Sequence, residues 1–240
     1  MSDYLVYNGR ETTEFNLKLE NGVTFASPSK NFEFEKIGGL DGEVVTGDGT
    51  LNNVTRDFPF TISSDKKRNV QEIATELSAW LKSSNEWHDL EFSGDPDYIY
   101  RAIYIDEYNL DRVTNFYGKV VLSFVCKPYK FLKSGRQEIT LGTNIINPTN
   151  RPSRPKITIR GSGNITLKIG EVLWEFKNIS GGIIVDTLLD VVTTLDGKSL
   201  AWDKTITYPL PKIAPGKQLV TKTGTITDIK IIPNWEVVVG

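Results

Sequence analysis

Apolar and polar residues alternate along much of this chain, and the longest alternating run is GKVVLSFVCKPYKF, residues 118–131. Successive strand side chains point to opposite sides. Val120, Leu122, Phe124 and Cys126 therefore share a wholly apolar face, while Lys119, Val121, Ser123, Val125 and Lys127 share a mixed, partly covered one. Pro128 is expected to end the strand, because proline cannot donate to a ladder. Shorter runs of the same kind precede it at residues 4–7, 15–19, 32–36, 58–62, 87–92 and 98–105. One stretch has a different period. Val70, Ile73, Ala74, Leu77, Trp80 and Leu81 fall on one face of a helix, with Asn69 and Glu72 placed to cap its start. Asp41-Gly42 and Asp48-Gly49 are turn pairs on either side of a short strand at 43–46. They predict a glycine-rich hairpin arm, centred on residues 43–53, that leaves the body.

The texture changes at residue 147. Pro148, Pro152 and Pro155 read as a semi-rigid lead-in to a second domain. Short strands follow at 156–160, 164–169, 171–176, 182–186, 190–194, 200–202, 225–232 and 235–239, separated by turn signals such as Gly161-Ser162-Gly163 and Asp196-Gly197. Many short strands without helical period predict a β-sandwich. The expected fold is therefore mainly β: an N-terminal β-rich domain (1–133) with one helix and a projecting arm, a linker (134–155), and a C-terminal sandwich (156–240).

Composition narrows the function. The 240 residues carry a net charge of -2, which offers no broad basic surface for nucleic acid. No run approaches the ~18 apolar residues of a membrane span, and the start MSDYLVYNGRETTEF has no apolar signal core. Synthesis in a cytosol without membrane insertion is expected.

Candidate chemistry is sparse. His88 is the only histidine and Cys126 the only cysteine, so a multi-histidine or zinc site is not expected. A Cys126–His88 nucleophile pair would need a thiolate, and Cys126 lies on a core face where thiols are inert. Glu171, Glu175, Asp186 and Asp190 are the carboxylates a sugar hydrolase would need in opposed pairs across a cleft. Their positions at strand ends and around Leu173 favour turn and surface roles instead. Trp174, Phe176, Trp202, Tyr208 and Trp235 could stack on sugars, but the alternation of Val172, Trp174 and Phe176 favours a sandwich core. No catalytic residue, metal or cofactor is expected.

The order of these pieces resembles the distal tail proteins of long-tailed bacteriophages. The GLDGEVVTGDG hairpin leads to FPFTI, then to the helix, then to the strand closing in Phe124-Val125-Cys126-Lys127-Pro128-Tyr129. In the second half the matching pieces are Asn147-Pro148, Arg154-Pro155-Lys156-Ile157, Gly161-Ser162-Gly163, Ile183-Ile184-Val185-Asp186, Leu210-Pro211 with Gly216, and IKIIPNW at 229–235. The chain lacks the large C-terminal insertion of longer relatives, which argues against an added sugar-binding module. The resemblance implies a non-enzymatic structural hub of the virion's tail tip, assembled in the bacterial host cytoplasm. It implies a homo-hexameric ring of N-terminal domains that joins the tail tube protein to the tail-tip (tail-associated) protein. DNA would pass unread through the central channel. Tape-measure and receptor-binding proteins are further implied partners, through which the particle attaches to its host. The C-terminal sandwich is implied to be galectin-like and to project outward.

A closed ring needs one surface patch to meet a different patch on the neighbour. The arm residues Glu43, Val44, Val45, Thr46, Asp48 and Leu51 are the candidates for one side, and Val121 and Val125 for the other. The competing reading is a carbohydrate-binding adhesion module recognising host cell-wall polysaccharide. It predicts that several of Trp174, Trp202 and Trp235 are exposed.

Overall fold

The computed structural model describes residues 3–65 and 67–240. The strands are β1 (Leu5–Tyr7), β2 (Arg10–Glu11), β3 (Leu17–Leu19), β4 (Glu33–Glu35), β5 (Val44–Thr46) and β6 (Val54–Ser63), followed by helix α1 (Val70–Leu81). Then come β7 (His88–Phe92), β8 (Tyr98–Ile103), β9 (Leu110–Arg112), β10 (Tyr117–Leu132), β11 (Ile139–Thr140), β12 (Asn144–Asn147), β13 (Lys156–Ile169) and β14 (Val172–Ile179). The last four are β15 (Gly182–Asp186), β16 (Val191–Thr193), β17 (Gly216–Ile232) and β18 (Glu236–Val238). The chain forms two compact units. One runs through Lys130 and takes back Val238–Gly240; the other is Phe131–Val237.

In the first unit the sheet order is β2-β1-β7-β8-β10-β6-β3, with β9 also paired to β10. The β6–β10 ladder is its spine, running from Tyr117↔Ser63 to Cys126↔Val54. Val120, Leu122, Phe124 and Cys126 face the core as their alternation requires, and Phe58, Phe60 and Ile62 meet them from β6. Helix α1 closes this core with Val70, Ile73, Leu77, Trp80 and Leu81. Trp80 stacks on Phe15 at 4.8 Å between ring centroids, and its indole N–H donates to the Tyr7 carbonyl at 3.2 Å. The helix begins where the sequence places its cap. The Asn69 side chain accepts from the Gln71 and Glu72 amides at 2.9 and 3.0 Å, and the Glu72 carboxylate accepts from the Asn69 amide at 2.8 Å.

Pro128 does not end β10, which runs on to Leu132 with its inside–outside alternation intact through Lys130. The reason is local pairing. The β6 ladder stops at Cys126↔Val54, so the missing proline N–H breaks no β6 bond, while the Pro128 carbonyl accepts from the Val239 amide at 2.9 Å. Lys130 reaches the interior and pairs with Asp95 at 2.6 Å, and Tyr100 donates its hydroxyl to the same carboxylate.

The second unit is built on a long ribbon, β13 against β17. The first half of β13 pairs with β15, its second half with β14, and β17 takes β12 near its start and β11 near its end. The ribbon thus serves different neighbours at its two ends and wraps one core containing Ile157, Ile159, Leu167, Trp174, Phe176, Ile183, Val185 and Ile229. Gly161-Ser162-Gly163, expected as a turn, lies inside β13, where the register shifts between Arg160 and Gly161 and again between Ser162 and Thr166. Bulges bend a strand without ending it, and a Cβ on Gly161 would lie 2.3 Å from the Thr225 carbonyl oxygen. Residues 200–202, expected as a strand, give one bridge from Leu200 to Thr193 and then a 3-10 turn, Trp202–Lys204.

The sequence predicts a linker over residues 134–155. They carry β11 and β12, both paired to β17, and the Asn147 side chain ties the proline-rich turn together. Its amide donates to the Arg151 and Ile213 carbonyls, and its oxygen accepts from Thr149. Prolines here shape an ordered turn, a role that composition cannot distinguish from a spacer.

Candidate assembly interface

The arm is a two-stranded antiparallel hairpin, but its pairing differs from the one expected. β5 pairs with β4 in the register Glu33↔Thr46, Phe34↔Val45 and Glu35↔Val44, so the arm spans residues 30–51; the turn at its tip is Ile37–Leu40, with the Leu40 amide donating to the Ile37 carbonyl, and Asp41-Gly42 bends the return. The base is held by the Lys30↔Leu51 bridge and by the Asn31 amide donating to the Thr50 carbonyl at 2.8 Å. Asp48 shapes the return. It accepts from the Thr50 hydroxyl at 2.7 Å and the Thr50 amide at 2.9 Å. These bonds, the hydroxyl first, hold its carboxyl below the usual range, so it stays charged.

No residue from 21 to 53 is buried. An isolated two-stranded hairpin is marginal in water, yet this one displays Phe32, Phe34, Ile37, Leu40 and Val45. Glu43, Val44, Val45, Thr46, Asp48 and Leu51 all lie on this arm, exposed or half-covered. Sequence reasoning missed Phe32, Phe34, Ile37 and Leu40. The signal is the alternating run at residues 32–36, which nothing local in the sequence marks as the partner of 43–46. Val121 and Val125 lie on the outward face of β10, opposite Pro59 and Thr55. Val121 is half exposed and Val125 partly covered.

The other candidates resolve toward structure. Cys126 is buried, and burial pushes its thiol up to about 12, which keeps it protonated near neutral pH and removes it as a nucleophile. His88 is half-buried and set edge-on to Tyr7 at 5.7 Å. Asp186 accepts from the Leu188 and Leu189 amides, the turn role its position suggested. Glu171 is fully exposed and Asp190 is exposed in a left-handed turn. Glu175 is half-covered on β14. Among the described residues no group of three or more His, Cys, Asp or Glu is placed to hold a metal ion. No helix there is long and apolar enough to cross a membrane. Trp174, Phe176 and Trp235 are core residues. Trp202 is half-covered, and Tyr208 is exposed and edge-on to it at 5.8 Å with planes 77° apart, which is not a flat platform. Of the three tryptophans whose exposure a sugar platform requires, two are thus buried.

The first unit is thus a β-rich fold with one helix and an unburied hairpin arm. Residues 7–126, half of the chain, match the phage tail protein RIFT-related domain, and the chain belongs to that family. No curated protein matches it in sequence. Among solved structures it is similar to the Dit protein (gp 19.1) of phage SPP1, described as a paradigm of the hub adsorption apparatus in phages that infect Gram-positive bacteria. That likeness covers 96% of this chain and 97% of the other, with a TM-score of 0.74 and 17% identity. Chains of the phage P2 baseplate in its activated conformation, with Ca and with Sr, are more distant, with TM-scores of 0.51 and 0.52, 10% identity and 96% of this chain covered. They share 97% and 98% of their own lengths with it. The protein is thus a phage tail component with the β-rich fold of a distal tail protein.

Proposed function

We propose that this chain is a structural hub of the phage tail tip, its first unit closing a homo-hexameric ring between the tail tube and the tail-tip protein. Tape-measure and receptor-binding proteins dock on the same assembly, which resides in the virion after assembly in the host cytoplasm. The observation that carries this reading is a phage-tail family match over residues 7–126 together with a fold likeness to SPP1 Dit along the whole chain. The arm supports it physically. Its apolar side chains have no body of their own to bury them, and a heterologous contact supplies one: the arm on one side, the β10 face with Val121 and Val125 on the other. The role is non-enzymatic.

Light scattering across a concentration series tests the reading. A species near six times the 26.9 kDa chain is expected, and deletion of residues 42–52 weakens it. A monomer at every concentration, both alone and with the tail-tip partner, would overturn it.

A further inference from the structure

β6 alternates inward at Val54, Arg56, Phe58, Phe60 and Ile62, so a guanidinium occupies a core position with 0% exposure. Its carbon lies 4.3 Å from the Tyr100 ring centroid and 4.9 Å from that of Phe25. Such aromatic neighbours satisfy part of a cation's charge. They leave the N–H groups poorly answered: none of the three side-chain nitrogens makes a well-formed hydrogen bond among the described residues, and the Tyr100 hydroxyl that interacts with the guanidinium is itself donated to Asp95. The nearby carboxylate is already committed. Asp95 accepts from Lys130 at 2.6 Å and from the Tyr100 hydroxyl, and Lys130 also reaches that hydroxyl at 3.2 Å. Two cations, Arg56 and Lys130, thus both lie over the Tyr100 ring, whose hydroxyl is bonded to Asp95. An uncompensated buried charge is among the costliest features a core can hold.

One wall of this site is only partly covered. Phe25 is 53% exposed and lies in a segment, 23–29, without strand pairing. We propose that Arg56 is the floor of an anion-binding site, closed by Phe25, that receives an oxyanion or carboxylate through the edge of its guanidinium. The planar fork of five donors matches carboxylate and phosphate geometry in two-bond fashion. Arg56 is then the residue that makes this part of the first unit specific for an anion, supplied either as a free oxyanion or as a carboxylate of a neighbouring chain. The inference does not depend on the hub reading.

The test uses the full chain in thermal melts and calorimetric titrations with sodium phosphate and sodium acetate, against sodium chloride at matched ionic strength. The expected result is a saturable rise of a few degrees in the melting temperature with the oxyanions only. Arg56→Met abolishes that rise and melts no lower than the natural chain in chloride. Arg56→Lys keeps the charge but loses the fork, and binds phosphate at least fivefold more weakly. Tighter binding of phosphate than acetate assigns a free oxyanion; comparable binding assigns a polypeptide carboxylate. Three results would overturn the proposal: no oxyanion-specific rise, an equal rise in Arg56→Met, or an Arg56→Met chain that melts well below the natural one in chloride.

Discussion

Replacement of Phe34 by serine isolates the arm's contribution to assembly. Phe34 is 69% exposed at the middle of β4, opposite Val45, and touches no core. Burying a phenylalanine side chain fully contributes roughly 1.5–3 kcal/mol. The exposed two-thirds of Phe34 thus has about 1–2 kcal/mol to give to a neighbour. Each contact of the proposed ring should weaken by that amount, about 5- to 30-fold in its dissociation constant. The isolated chain has little to lose. Surface substitutions usually stay within about 0.5 kcal/mol, and the lost cross-strand pair with Val45 is confined to the hairpin, where such pairs contribute ~0.2–1 kcal/mol. Sedimentation velocity over a concentration series reads the first effect, and circular dichroism melts read the second. Assembly that shifts to higher concentration with an unchanged melt is the expected pair of results. An unchanged assembly midpoint would refute the assignment of the arm as a contact, and a collapsed melt would show that Phe34 supports the body.

Further outcomes follow from the same geometry. Asn69→Ala removes the cap that accepts from the Gln71 and Glu72 amides, and should cost about 1 kcal/mol in denaturant unfolding, with α1 as the affected element. Phe124→Ala empties a site flanked by the rings of Tyr7, Phe58 and Tyr104, and should cost about 3–5 kcal/mol by the same measurement. Gly161→Val drives a side chain at the Thr225 carbonyl, and should lower the second unit's melting transition while α1 and its core keep theirs. Alkali should unfold the first unit. Burial raises Tyr7, Tyr100, Tyr104 and Tyr108 above the ordinary tyrosine value of 10.0, and raises Cys126 to about 12. Folded values above unfolded ones mean stability that is complete below the ordinary pKa and is lost as pH climbs through the raised range. Denaturant midpoints should therefore hold at neutral pH and fall above pH 10. A midpoint flat through that range, or rapid reaction of the native thiol with a disulfide reagent at pH 8, would contradict the burial argument.

Much of this protein is legible without coordinates because its signals are local. The period of Val70, Ile73, Leu77, Trp80 and Leu81, bracketed by Asn69 and Glu72, specifies α1 to the residue, since a helix makes its bonds within four residues of itself. Alternation likewise locates the inner faces of β6 and β10, because strand side chains repeat every two residues whatever the partner. The ordered series of weak motifs also carries the family resemblance, and the family match bears it out.

What the tertiary structure alone decides is pairing and compensation. The partner of Val44–Thr46 is Glu33–Glu35 and not a neighbouring turn, because register depends on two segments at once. Gly161-Ser162-Gly163 bends a strand in place of ending it, and Pro128 sits where no β6 bond needs its missing N–H. Glycine and proline permit these outcomes, and only the neighbouring strand selects among them. Arg56 is the sharpest case. Residues of its type are almost never fully buried, so periodicity assigns it no role, and its enclosure comes from Phe25 and Tyr100. Local physics writes the elements into the chain, whereas the long-range contacts that pair strands and enclose a charge exist only once the chain has folded.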